Sequence, residues 1–269
     1  MLSHLSMLGF SADFFGVPGA MTTTNLRALL LNEAVTIESL PVSGGYYVRC
    51  GIGAGIELWL AMNEDRQIAG IYPHYVGTSQ VRAAITHFYD DPIYPLAGSL
   101  HAWTDPQTDD PESGGTRIVC EMPGAAAIRA TVTLPALVTL QITAFAHEFT
   151  LYPDDDAFHA SQQGEVKFAV ESFVPVGLFD FSSTPNADAP SALARFVGHV
   201  EHTTLLTNPA SGLSFHVMRV RTFGGTFDVV VHPTMISVEP RIGGVVEGTF
   251  WLTGRVRSDE EDTTVSQDD

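Results

Sequence analysis

Period-two alternation dominates the chain. In residues 243–256, Val246, Gly248, Phe250, Leu252, Gly254 and Val256 point one way, while Glu247, Thr249, Trp251, Thr253 and Arg255 point the other. That pattern predicts a half-buried β-strand. It also sets a tryptophan on an otherwise polar face. Residues 35–40, 46–49 and 56–62 read as further strands, the last with Ile56, Leu58, Leu60 and Met62 opposite Glu57, Trp59 and Asn63. Gly44, Gly45 and the run 51–55 punctuate them as turns, and a bulged hairpin accounts for Gly51, Gly53 and Gly55.

Two segments depart from this period. Asn25 is an N-cap candidate for a short helix over residues 26–33. Val81, Ala84, Ile85 and Phe88 fall at helical spacing, so residues 77–89 are expected to form a second helix, ended by Asp90-Asp91-Pro92. Everything beyond reads as strands and turns.

A faint repeat runs through the strand-rich region. Gly98-Ser-Leu-His-Ala-Trp, Gly115-Thr-Arg-Ile-Val-Cys, residues 131–135 and His147-Glu-Phe-Thr-Leu-Tyr follow one another in the first half. Gly198-His-Val-Glu-His, Gly212-Leu-Ser-Phe-His-Val, residues 228–233 and Gly248-Thr-Phe-Trp-Leu-Thr follow in the second, and Pro135 and Pro233 both close a strand-like run. The expected class is therefore α+β, mainly β, with two antiparallel β-barrel-like (OB-like) or sandwich-like halves and a possible internal duplication. The OB-like label is an analogy of pattern. Gly248 and Gly254, on an inward strand face, mark where a barrel wall bends or admits a neighbouring backbone.

These signals divide the chain into an N-terminal α+β half over residues 21–160, a connecting strand and loop over 161–194, and an OB-like half over 195–257. Residues 1–20 read as an extension that packs poorly, because Met21 opens a segment leading into the first helix. His4, Asp13 and the missing basic n-region argue against a signal peptide. Residues 258–269 form an acidic tail too polar to fold.

Charge narrows the partners. Thirteen basic and 31 acidic residues give a formal charge of −18, which repels nucleic acid and anionic lipid. Within residues 195–257, however, Arg195, Arg219, Arg221, Arg241, Arg255 and Arg257 outnumber Glu201, Asp228, Glu239 and Glu247. Cys50 and Cys120 form no metal-binding spacing and read as free thiols of a reducing, cytoplasmic compartment. No run approaches the roughly 20 apolar residues of a membrane span.

Short chemical motifs are weak. The glycines at 51, 53 and 55 precede a strand rather than a helix, unlike a dinucleotide fingerprint. His147-Glu148 lacks the second histidine of a zincin, and no GxSxG elbow occurs. His199 and Glu201 alternate onto one strand face and would make half a metal site only if His216 or His232 converged on them. His74 and Tyr75 sit where a strand is expected to give way to a helix, a frequent location for functional loop residues.

Trp251, flanked by Glu247 and Arg255, is either a stacking platform or a residue covered by another part of the protein; Trp59 and Trp103 share its setting, which favours cover. No cofactor and no metal are expected. The leading functional expectation is a non-catalytic protein that binds a protein partner or itself through a β surface. The alternatives are an enzyme or small-ligand binder using His74, Tyr75, His199, Glu201, Trp251 and Arg255 in a pocket between the halves, and single-stranded nucleic-acid binding by the C-terminal half.

Overall fold

The computed structural model describes residues 4–11, 23–91, 96–107, 109–163, 167–178 and 190–257. The protein is mainly β, as the alternation predicts, with one four-stranded and one nine-stranded sheet. β1 (Thr36–Val42), β2 (Gly45–Gly53), β3 (Ile56–Asn63) and β4 (Ile68–Tyr75) form an antiparallel meander. Gly44 at φ 84° turns the first hairpin, and the β2–β3 register slips between Gly51 and Gly53, the bulge expected from the glycine run.

The larger sheet contains β5 (Val81–Asp90), β6 (Gly98–Thr104), β7 (Thr116–Glu121), β8 (Ala136–Tyr152), β9 (Ser172–Val174), β10 (Leu193–Thr207), β11 (Ser214–Thr222), β12 (Gly225–Val231) and β13 (Val245–Val256). Its pairings close two rings. β5, β6, β7, β13 and β8 form one, with β7 and β13 parallel. β10, β11, β12, β8 and β13 form the other, with β12 and β8 parallel. The long β8–β13 ladder belongs to both, so each half of the chain supplies a wall strand to the other. By position in the two rings, β5 corresponds to β10, β6 to β11, β7 to β12 and β8 to β13. The repeat seen in the sequence matched β8 with β13, but it set β6 against β10 and β7 against β11. It also took residues 131–135 for a strand, whereas they are the end of a helix and a turn with a cis Leu134–Pro135 bond.

Among the described residues, the α-helices are α1 (His4–Met7), α2 (Thr23–Leu30), α3 (Ala125–Thr131) and α4 (Asp155–Ser161). The first helix expected from sequence begins three residues early, as α2. The second does not form: residues 81–90 are the strand β5. Its register slips between Ile85 and His87, which brings Phe88 onto the core face of Val81 and Ile85, and Ala84, buried on the opposite face, completes a spacing that imitates a helical period. The alanine-rich α3 and the Asp154-capped α4 went unpredicted, although Asp154 accepts the Ala157 N–H at an N-cap and the alanines favour helix. None of the described helices is long and apolar enough to cross a membrane.

One continuous core joins both rings and the inner face of the meander. At the second ring it is aromatic, with Phe196 stacked on Phe250 at 4.0 Å and Phe227 and Phe173 beside them. Gly248 admits the close approach expected there, since a Cβ would collide with the Glu148 carbonyl oxygen; at Gly254 it would meet the Cys120 sulfur. Against the expectation of a poorly packed extension, Met7, Leu8 and Phe10 are at most 2% exposed. The Asn208 amide donates to the Leu8 carbonyl and Ser211 to that of Gly9, so this segment is part of the core. Residues 12–20 and the acidic tail 258–269 lie outside the described residues.

Candidate functional site

The tryptophan on the polar strand face is covered. Trp251 is 8% exposed. The His4 imidazole lies on its indole with ring centroids 3.8 Å apart and planes 5° apart, and Phe145 tilts against it at 5.5 Å. The indole N–H donates to Glu121 Oε1 at 2.9 Å. His4 Nε2 meets His147 Nε2 at 2.6 Å. His147 is the extra residue of a bulge in β8, because Thr249 pairs with Glu148 and Phe250 with Ala146. The bulge turns its imidazole toward α1. Burial pulls His4 down to about 4, helped by His147, and lowers His147 as well; burial also raises the Glu121 carboxyl despite its indole donor. His4, His147 and Glu121 escaped sequence reasoning because they come from three remote segments.

Trp59 is covered in a parallel way. Its N–H donates to Glu57 Oε2, and Gly124, at φ 76°, brings the start of α3 so close that a Cβ would clash with the ring. Trp103 stays partly exposed under the Arg117 guanidinium.

His74 stands at the centre of a second group. It lies near the end of β4, and the next element is the strand β5, so the strand-to-helix junction expected there is absent. The imidazole is fully buried, with Nε2 2.7 Å from Gln141 Oε1 and Nδ1 2.9 Å from Thr253 Oγ1. Gln141 Nε2 donates to Asp228 Oδ2 and to Thr143, so its oxygen faces His74 and must accept. His74 therefore carries its proton on Nε2 and accepts the Thr253 hydroxyl at Nδ1. Desolvation by burial holds it near 4, against the pull of Glu57 and Gln141. Asp228 also accepts the backbone and hydroxyl of Ser79, and Thr143 donates to the Tyr75 carbonyl. The Tyr75 ring meets Phe215 edge-on, and burial raises its phenol to about 12. This chain of bonds ties β4 to β8, β12 and β13.

Arg255 reaches the same region through Glu57, the register partner of His74. Glu57 Oε1 accepts from Arg49 and lies 3.4 Å from Arg255. Burial opposes its charge, but the Arg49 hydrogen bond and the two guanidiniums outweigh it and lower its pKa. Glu38, Arg49 and Glu57 line a small cleft of about 200 Å³.

The remaining candidates lie elsewhere. His199 and Glu201 share a shallow depression of about 520 Å³ with Arg219, Arg221 and Ile242. Both His199 nitrogens are engaged, one by Glu171 and one by Asp155. Burial alone would lower this histidine, yet the two carboxylates outweigh it and raise it. Glu201 pairs with Arg221 and Arg219. Glu247 accepts from Arg195 and Tyr152. The candidates thus separate into distinct groups: Arg255 bonds to Glu57, which lies across the β3–β4 ladder from His74, and His199 lies beside Glu201. Among the described residues, no group of three or more His, Cys, Asp or Glu is disposed to hold a metal ion.

The free edge of the meander is a further feature. The hairpin register Val42 with Gly45 directs the main-chain groups of Val42, Leu40, Glu38 and Thr36 toward β2. Ile37, Ser39 and Pro41 turn theirs outward. Proline, which has no N–H, sits at a position where none is needed. Residues Thr36 to Ser39 are exposed, Ile37 by 51%. Beside this edge runs a groove of about 580 Å³ between β1 and α3, lined by Leu40, Pro41, Val42, Ala126, Ala127 and Ala130. Comparison of the chain with protein-family models, curated proteins and solved structures finds no match.

Proposed function

We propose that this is a non-catalytic interaction protein that takes an extended, net-basic segment of a protein partner along the free edge of β1. The observation that carries the reading is the outward set of main-chain donors and acceptors at Ile37 and Ser39 on an exposed end strand, next to an apolar groove. Strand addition uses such an edge for affinity and the neighbouring groove for side-chain selection. The formal charge of −18 favours a basic segment, and it makes pairing with a second copy costlier. The dense internal pairing of the buried histidines and carboxylates supports structural roles for those groups. We read the two interlocked rings as a duplicated, OB-like unit, and the buried free thiols Cys50 and Cys120 as fitting a reducing cytoplasm.

The test uses a synthetic peptide of alternating valine and lysine, amide hydrogen exchange, and size-exclusion mass measurement. Saturable binding with slowed exchange at Ile37 and Ser39 is expected, and Ile37→Pro should weaken it at least tenfold while keeping the β1–β2 ladder. A particle of twice the chain mass that Ile37→Pro reduces to one chain would identify the occupant as a second copy and overturn the basic-segment reading. Absence of both, or binding that Ile37→Pro leaves unchanged, overturns it as well.

A further inference from the structure

We propose that Trp251, Phe145 and His147 form a binding site for a neutral imidazole-type ring, and that the chain's own His4 is its resident occupant. Each element of recognition is in place. Trp251 supplies a flat face in parallel contact with the bound ring, and Phe145 closes a side at 5.7 Å from the His4 centroid. His147 supplies directional recognition, since two Nε2 atoms 2.6 Å apart hold a single proton between them. One ring donates and the other accepts. A ring without a nitrogen at that edge would leave the His147 Nε2 unpaired.

The platform is prearranged rather than shaped by its occupant. Trp251 is fixed through its indole N–H by Glu121, and His147 is aimed by a bulge in β8. The other ionisable group at the rim, Glu148, accepts the Thr249 hydroxyl at 3.0 Å. Burial holds His4 and His147 below the usual histidine range, so both rings are neutral at slightly alkaline pH.

The occupant and its anchor are separable. Leu8 and Phe10 are buried and the Leu8 and Gly9 carbonyls are held by Asn208 and Ser211, whereas His4 and Leu5 are only partly buried. A helix of one turn has little stability of its own. The end that bears His4 can therefore lift while the segment stays docked, which opens the face of Trp251 to a ring from another molecule.

The test replaces His4 by glycine in the full chain, labels the tryptophans with 5-fluorotryptophan, assigns Trp251 with Trp251→Phe, and uses free imidazole at pH 8 as the probe. In H4G the Trp251 resonance should become accessible to a soluble paramagnetic quencher, and imidazole should restore its shielding saturably, in the weak range expected of a five-atom ligand. Toluene, a ring with no hydrogen-bonding group, should not substitute, and adding His147→Ala should weaken the imidazole response at least tenfold. Should H4G fail to fold, His4→Phe offers the second measurement: Trp251 stays shielded and imidazole has no effect, whereas the wild type responds at high imidazole as His4 is displaced. An unchanged Trp251 signal in folded H4G, a response indifferent to His147, or equal responses of the wild type and His4→Phe overturns the proposal.

Discussion

His4 and Trp251, 247 positions apart in the chain, lie face to face with centroids 3.8 Å apart. This contact joins α1 to β13, one of the two strands shared by both rings. Deleting residues 1–11 should therefore lower stability and expose Trp251, because it removes the buried Met7, Leu8 and Phe10 together with the stack. Truncating even one buried leucine or phenylalanine to alanine typically costs about 2–5 kcal/mol. Urea unfolding monitored by tryptophan emission would check this, and an unchanged midpoint would contradict it.

Trp251→Phe should keep most of the packing but strip Glu121 of its indole donor. A buried acceptor left without its partner costs about 1–3 kcal/mol, and the half-buried Glu121 should fall at the low end of that range. Adding Glu121→Leu should recover part of that loss, so the two changes should be non-additive in a double-mutant cycle.

The Asp228 hub makes a sharper prediction. Asp228→Val leaves the Ser79 amide and one Gln141 N–H without an acceptor in a site closed to water. We expect destabilisation of roughly 2–4 kcal/mol, the range for unpaired buried donors. The measurement is chemical denaturation beside Asp228→Asn, which retains one acceptor oxygen and should lose less.

The histidines give stability a directional pH dependence. His74 is held near 4 in the folded protein against an ordinary value of 6.5, so its contribution is complete above 6.5 and disappears as the pH falls toward 4. The shift corresponds to about 3 kcal/mol. His199 has the opposite sign: its raised value means that its contribution is present below 6.5 and is lost as the pH rises through its folded value, weakened by partial exposure. His74→Gln should flatten the acid limb of the stability curve, and His199→Gln the neutral-to-alkaline limb. The same curve for all three proteins would refute the assignment.

Gly124→Ala should destabilise by roughly 1–3 kcal/mol, since alanine at φ 76° is strained and its methyl would meet Trp59. Gly212, also at positive φ but with open space around it, provides the control: Gly212→Ala carries the backbone strain without the clash and should cost less. Equal thermal shifts for the two variants would rule out the packing account.

Alternation along residues 35–62 and 243–256 was enough to fix the strand character of β1, β2, β3 and β13, because a side-chain period of two is a local property of extended backbone. Gly51, Gly53, Gly248 and Gly254 announced a bulge and close approaches for the same reason: the absence of a Cβ is legible residue by residue. The local code failed at β5, where a bulge after Ile85 moved Phe88 onto the face of Val81 and Ile85, and Ala84, buried on the opposite face, completed a helix-like spacing. It also could not reveal that β8 and β13 each complete the other half's ring, a matter of long-range pairing. The identity of what covers Trp251 was decided by tertiary structure alone. A stacked imidazole, a bulged histidine and a half-buried carboxylate from α1, β8 and β7 become neighbours only when the rings close, and no spacing in the sequence encodes that distance.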